Sequence, residues 1–177
     1  MLVSFGDADF CAAAERLGEP VRLVHPESVD TDALEGVWLL YLPATALAHS
    51  AARTATEHVR SRRAMIAIDL AAAGDAPVSE GAKLAFELAK LRPEILIAHE
   101  AGAAMLGVPL EGLARMPVLL LGERGCEVFG RRIPAPPGAA ANPAAFAAAL
   151  CSAYLDGAMP VEAAGRAMVY AASITSS

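Results

Sequence analysis

Four unbroken apolar runs set the strongest limit on what this chain can fold into: VWLLYL at 37–42, MIAI at 65–68, ILIA at 95–98 and VLLL at 118–121. A strand with one wet face alternates apolar and polar residues, so runs without alternation fit strands buried on both faces. The stretches between them carry helix patterns. Residues 8–17 end at Gly18, 46–61 form a candidate helix, 79–91 place Leu84, Leu88 and Leu91 near one face, and 100–106 end at Gly107. A shorter run at 21–24 adds a strand. Strand and helix in alternation predict a three-layer αβα architecture around a mostly parallel sheet, in one domain spanning 1–177.

The C-terminal part departs from simple alternation. Gly122-Glu123-Arg124-Gly125 joins the run at 118–121 to 126–129, which predicts an antiparallel hairpin. Residues 134–138 are proline-rich and irregular. Asn142 followed by Pro143 is a helix start, since Asn caps exposed N–H groups and Pro fits the first turn. That helix is expected to run to Leu155 and stop at Gly157. A last helix follows Pro160 and fades over 173–177. Trp38 and Tyr41 are expected in the core.

Apolar residues make up 55% of the chain, a surplus that predicts a homo-oligomer with a buried self-interface, although much of it is alanine. Net charge is −6. Arg60, Arg62 and Arg63 form the only basic cluster and end a helix, where cations suit the helix dipole. No basic stripe exists to neutralise phosphates, so no nucleic-acid partner is expected. Cys11, Cys126 and Cys151 lack metal or redox spacing and fit reduced thiols of a cytoplasmic protein. No signal peptide and no membrane span are expected.

Several segments together resemble the ribokinase/PfkB carbohydrate kinases. GAAANPAAFAAALCSAYLDG at 138–157 is similar to that family's D-T-x-G-A-G-D-x-F signature and the helix after it, with Phe146 and Asp156-Gly157 setting the register. VLLLGERGCEVF at 118–129 is similar to its V-x-T-x-G-x-x-G strand and hairpin. LIAHEAGAAMLG at 96–107 is similar to its N-x-x-E segment. MIAIDL at 65–70 is similar to the strand before its D-x-N, and GDADFCAAAERLGEPVRLV at 6–24 to its G-G-x-x-x-N segment. The resemblance implies a ribokinase-like fold and ATP with magnesium as cofactor. Members are nearly twice as long. The opening strand and the sugar-covering lid, which would lie between Val24 and Val37, are expected to be missing, exposing a sheet edge.

The resemblance also implies where the family's chemistry would sit. G-A-G-D falls on Ala141, Asn142, Pro143 and Ala144. The family's catalytic base thus becomes Ala144, which accepts no proton, and Pro143 has no N–H to give to a moving phosphate. The N-x-x-E pair falls on His99 and Gly102, and the hairpin threonine on Leu120. The substrate-side asparagine falls on Asp9, and the asparagine after Asp69 on Ala71. No catalytic residue and no metal site is therefore assigned. The ligand-binding candidates are Asp9, Asp69, His99, Gly122, Gly125 and Asn142, with a nucleotide or sugar as the implied ligand. Each has a plain structural reading too: strand-end histidine, turn-capping aspartate, hairpin glycines, helix cap. Glu123 and Arg124 fit a solvated turn pair or, for Arg124, a phosphate contact. The sequence favours a non-catalytic binding or self-associating protein. The alternative is an ATP-dependent carbohydrate or nucleoside kinase using Asp69 or Asp9 as a non-standard base.

Overall fold

A computed structural model describes residues 1–25, 29–70, 78–137 and 142–174. Its strands are β1 Leu2–Phe5, β2 Val21–Val24, β3 Leu39–Pro43, β4 Met65–Asp69, β5 Ile95–His99, β6 Met116–Leu120, β7 Cys126–Val128 and β8 Arg131–Ile133. Its α-helices are α1 Ala8–Arg16, α2 Ser50–Ser61, α3 Val78–Leu91, α4 Glu100–Leu106, α5 Pro143–Leu155 and α6 Pro160–Ser173. The strands form one sheet in the order β2-β1-β3-β4-β5-β6-β7-β8. β1 to β6 pair in parallel, and β7 and β8 close the far side as antiparallel strands.

The period of two within each strand divides the core. Leu2, Leu39, Tyr41, Ala67, Ile95, Ile97 and Val118 share one cluster with residues of α1, α5 and α6. Val3, Phe5, Leu40, Leu42, Ile66, Ile68, Leu96 and Ala98 share the other with residues of α2, α3 and α4. The chain steps from β1 to β2 in one direction, then from β3 through β6 in the other. Right-handed crossovers place α1 on one face and α2 to α4 on the opposite face. The reversal between β1 and β3 makes a topological switch point at the carboxyl ends of the strands, the place where open α/β sheets have their ligand-binding crevice.

The middle helix of its layer, α5, packs against both α1 and α6. Every residue from Ala145 to Cys151 is buried, as in a helix that is apolar all round. Its alanines allow close approach on every side. Part of the alanine surplus is thus consumed inside this layer.

Four sequence expectations need correction. The opening strand is present: Leu2, Val3 and Phe5 are fully buried, and β1 lies between β2 and β3. The edges of the sheet are β2 and β8, so no edge is bared by a lost first strand. Trp38 is 66% exposed and lies outside both core clusters. Only its backbone joins the sheet's end, donating to the Met1 carbonyl at 3.0 Å and accepting from Met65 N–H at 2.8 Å. The helix expected at 46–61 is two pieces: a 3-10 helix at Ala44–Ala48 and α2, separated by His49 in extended backbone. β8 was not foreseen because three residues with two exposed arginines carry little strand signal. Among the described residues no further strand lies between β2 and β3, and that stretch holds a 3-10 helix at Thr31–Leu34. Ala71, Ala141, Gly138 and residues 26–28 and 175–177 lie outside the described residues.

Candidate functional site

The crevice position between β1 and β3 is occupied by a turn, a helix cap and buried side chains. β1 ends at Gly6, whose φ of 81° is the left-handed conformation glycine tolerates. Asp7 follows as the N-cap of α1, its Oδ1 accepting from Phe10 N–H at 2.8 Å. The Ser4 hydroxyl donates to the Asp7 carbonyl at 3.0 Å. The neighbouring β3 brings Tyr41, which is register-paired with Ser4. Its ring stacks on Phe10 with centroids 3.9 Å apart and planes 12° from parallel. The next strand, β4, ends with Asp69, which is buried.

These pieces place two carboxylates around one phenol. Tyr41 donates to Asp69 Oδ2 at 2.8 Å, and Asp7 Oδ2 lies 3.4 Å from the same hydroxyl. A phenol has one proton to give, so the shorter bond to Asp69 takes it. Burial first, then the negative charge of Asp69 and Asp7, pushes Tyr41 well above the ordinary tyrosine range. Tyr41 is a neutral donor at physiological pH. Tyr41→Phe is expected to destabilise the protein by about 1–3 kcal/mol, since it removes a buried donor to a carboxylate and leaves the shape intact. A urea midpoint equal to wild type would contradict that role for the hydroxyl.

Of the six sequence candidates, Asp69 belongs to this crevice and Asp9 does not. Asp9 lies exposed on the first turn of α1. The carboxylate that reaches the crevice is Asp7, two residues earlier. The signal for it was local: an aspartate after strand and glycine, immediately before a helix, is an N-cap, and N-caps of first helices face the strand ends.

The other four candidates meet elsewhere along the same edge of the sheet. His99, Gly122, Gly125 and Asn142 line one cavity of about 30 Å³, together with Leu120, Pro143 and Phe146. Asn142 caps α5, its Oδ1 accepting from Ala145 N–H at 3.0 Å, while its carbonyl accepts from Phe146 N–H at 2.9 Å. Pro143 occupies the first helical position. Of the first three residues of this helix, Pro143 has no N–H and the Ala145 N–H is bonded to the Asn142 side chain. A cavity of this size holds about one water, whereas pockets for drug-sized ligands run to about 300–1,000 Å³.

The remaining motif positions are filled by packing. Gly102 is buried where a Cβ would lie 3.1 Å from the Leu70 carbonyl oxygen, so α4 rests closely on the end of β4. Gly125 has φ 102° and ψ −141°, and a Cβ there would meet the Ile133 carbonyl oxygen at 2.0 Å. Its glycine is demanded by the hairpin backbone. Arg124 pairs with Glu100 at the surface, not with Glu123. All three cysteines are buried, and burial pushes the Cys126 thiol to about 12. Among the described residues no group of three or more histidine, cysteine, aspartate or glutamate side chains is placed to hold a metal ion. No helix among them is long and apolar enough to cross a membrane.

Solved structures share this arrangement of strands and helices. An adenosine kinase from Sinorhizobium meliloti aligns over 84% of this chain and 52% of its own, with a TM-score of 0.65 at 18% identity. An uncharacterized sugar kinase from Pyrococcus horikoshii aligns over 97% of this chain and 91% of its own, with a TM-score of 0.70 at 13% identity. A putative ribokinase II from E. coli, solved with ATP and magnesium, aligns over 96% and 74%, with a TM-score of 0.68 at 14% identity. No family model matches the sequence, and no curated protein matches it. The fold is the ribokinase-like α/β fold of the PfkB sugar and nucleoside kinases. The chain spans about half the length of the adenosine kinase it matches.

Proposed function

We propose that this chain keeps the ribokinase-like fold without its phosphoryl transfer and works as a non-catalytic binding or self-associating protein. The observation that carries the reading is the start of α5. Asn142 spends its side-chain oxygen on Ala145 N–H, Pro143 offers no donor, and Ala144 stands where the family's base is expected. Loss of a general base lowers rates by about 10²–10⁴. Loss of an anion-hole donor lowers them by about 10²–10³ more. The 30 Å³ cavity beside this helix end supports the same reading.

The rival reading, a sugar or nucleoside kinase with a non-standard base, loses support from where its candidate bases lie. Asp9 is exposed on α1 and away from the crevice. Asp69 is buried and already accepts a hydrogen bond from the Tyr41 hydroxyl. Were a nucleotide to bind, ATP with magnesium is the pair implied by the resemblance, and strand ends are where open α/β sheets bind ligands. The buried, high-pKa thiols suit a reducing, cytoplasmic setting.

A thermal-shift panel of magnesium ATP, sugars and nucleosides, run beside an ADP assay, separates the readings. A shift without ADP makes the crevice a ligand sensor. Neither shift nor ADP leaves self-association as the working role. ADP formation that depends on a sugar or nucleoside overturns the proposal.

A further inference from the structure

On the face of the sheet opposite α5, a groove of about 480 Å³ lies between α2, α3 and the 3-10 helix at Ala44–Ala48. Small-molecule pockets occupy about 300–1,000 Å³ and are apolar with a few convergent polar groups. The floor here is apolar: Leu47 from the 3-10 helix, Leu84 from α3 and Met105 from α4. Met105 belongs to the core cluster of that face, and Leu47 and Leu84 pack against it. Four charged side chains line the walls: Arg53 from α2, and Glu80, Lys83 and Glu87 from α3.

The charges are sorted by wall. Glu80, Lys83, Leu84 and Glu87 follow the i, i+3, i+4, i+7 spacing of one helix face. Two carboxylates against one ammonium leave that wall negative. The α2 wall brings Arg53, a cation. Among the described residues none of the four forms an ion pair. Arg53 also closes the first turn of α2, where a positive charge opposes the helix dipole. The stability of α2 therefore gives no reason for an arginine there.

We propose that this groove binds a zwitterionic small molecule with an apolar body, of the class of free hydrophobic amino acids. Arg53 takes the carboxylate, whose two oxygens match the guanidinium fork. Glu80 and Glu87 outnumber Lys83 and take the ammonium. The apolar side chain lies on Leu47, Leu84 and Met105. A simple anion would meet the glutamates and a simple cation would meet Arg53, so a dipolar ligand suits both walls. The groove is on the layer opposite the start of α5, and the proposal stands whether or not the chain transfers phosphate.

Calorimetric titration with phenylalanine tests it, beside 3-phenylpropionate, which lacks the ammonium, and phenethylamine, which lacks the carboxylate. Phenylalanine is expected to bind saturably, and each analogue about 10-fold or more weakly, since each forfeits a charge-assisted pair. Arg53→Gln is expected to weaken phenylalanine by about 10-fold or more. Its melting temperature without ligand should hold or rise, because the lost charge opposed the α2 dipole. Arg60→Gln, exposed in the last turn of the same helix, is the control and should bind as wild type does. No saturable binding of phenylalanine up to about 10 mM overturns the proposal. So does an analogue that binds equally well, or binding unchanged in Arg53→Gln. A melting temperature lowered alike by Arg53→Gln and Glu87→Gln would mean that Arg53 bridges to α3, and overturns it too. The ADP assay reads the α5 end separately, so either idea can fail alone.

Discussion

Phe10→Ala is expected to lower the unfolding free energy by about 3–5 kcal/mol, the range for removing a buried aromatic ring. Phe10 is wholly buried on α1, and it covers the face of Tyr41 with ring centroids 3.9 Å apart. Its loss removes contacts on both sides of the helix–sheet junction and opens a void beside the Tyr41–Asp69 hydrogen bond. Water entering there would weaken that bond by raising the local polarity. A domain of this kind has about 5–15 kcal/mol in total, so the variant should unfold at a much lower urea concentration. A loss below about 1 kcal/mol would mean that α1 is not seated on β1 and β3 as described.

The second large effect is expected at Gly125→Ala, at roughly 2–6 kcal/mol. Two penalties act on the same atom. The backbone at φ 102° and ψ −141° is close to glycine-only territory, which costs other residues about 1–3 kcal/mol. The new methyl would also lie 2.0 Å from the Ile133 carbonyl oxygen and 2.7 Å from the Ala135 nitrogen, and overpacking of that kind costs about 1–3 kcal/mol more. Relief requires β8 to move away from the loop that joins β6 to β7. Gly122→Ala is the comparison: its φ is 60°, but no atom lies within 4 Å of an added Cβ. It should cost only the backbone term, about 1–2 kcal/mol. Equal losses at the two positions, measured by chemical denaturation without nucleotide, would remove the steric account of Gly125.

The sheet was legible because its inner strands are buried on both faces, which leaves unbroken apolar runs at β3, β4, β5 and β6. Helices with a clear stop, such as α4 before Gly107 and α5 between Asn142 and Gly157, were legible to the residue. Trp38 misled because hydropathy extends a run past the point where the covering layers end. β1 was lost because four residues at the start of the chain offer little context, although Leu2-Val3-Ser4-Phe5 is followed by a glycine turn and an aspartate cap. β8 is held by its pairing with β7 and by a two-residue turn, neither of which shows in its composition. The candidate site was half legible. Motif order brought His99, Gly122, Gly125 and Asn142 to one cavity, but a two-residue offset in the first helix pointed to Asp9 where Asp7 reaches the crevice. The Asp7–Tyr41–Asp69 cluster joins a helix cap, the middle of β3 and the end of β4, and no local pattern in one sequence announces such a meeting.

The most direct test of the central claim is turnover. Purified protein is incubated with magnesium ATP and a panel of sugars and nucleosides, and ADP is followed over hours at high enzyme concentration. The account predicts ADP at the rate of the protein-free control with every acceptor, because Ala144 stands at the expected base position and Pro143 has no N–H to give to a phosphate. ADP that accumulates in proportion to enzyme, and only when an acceptor alcohol is present, would contradict it.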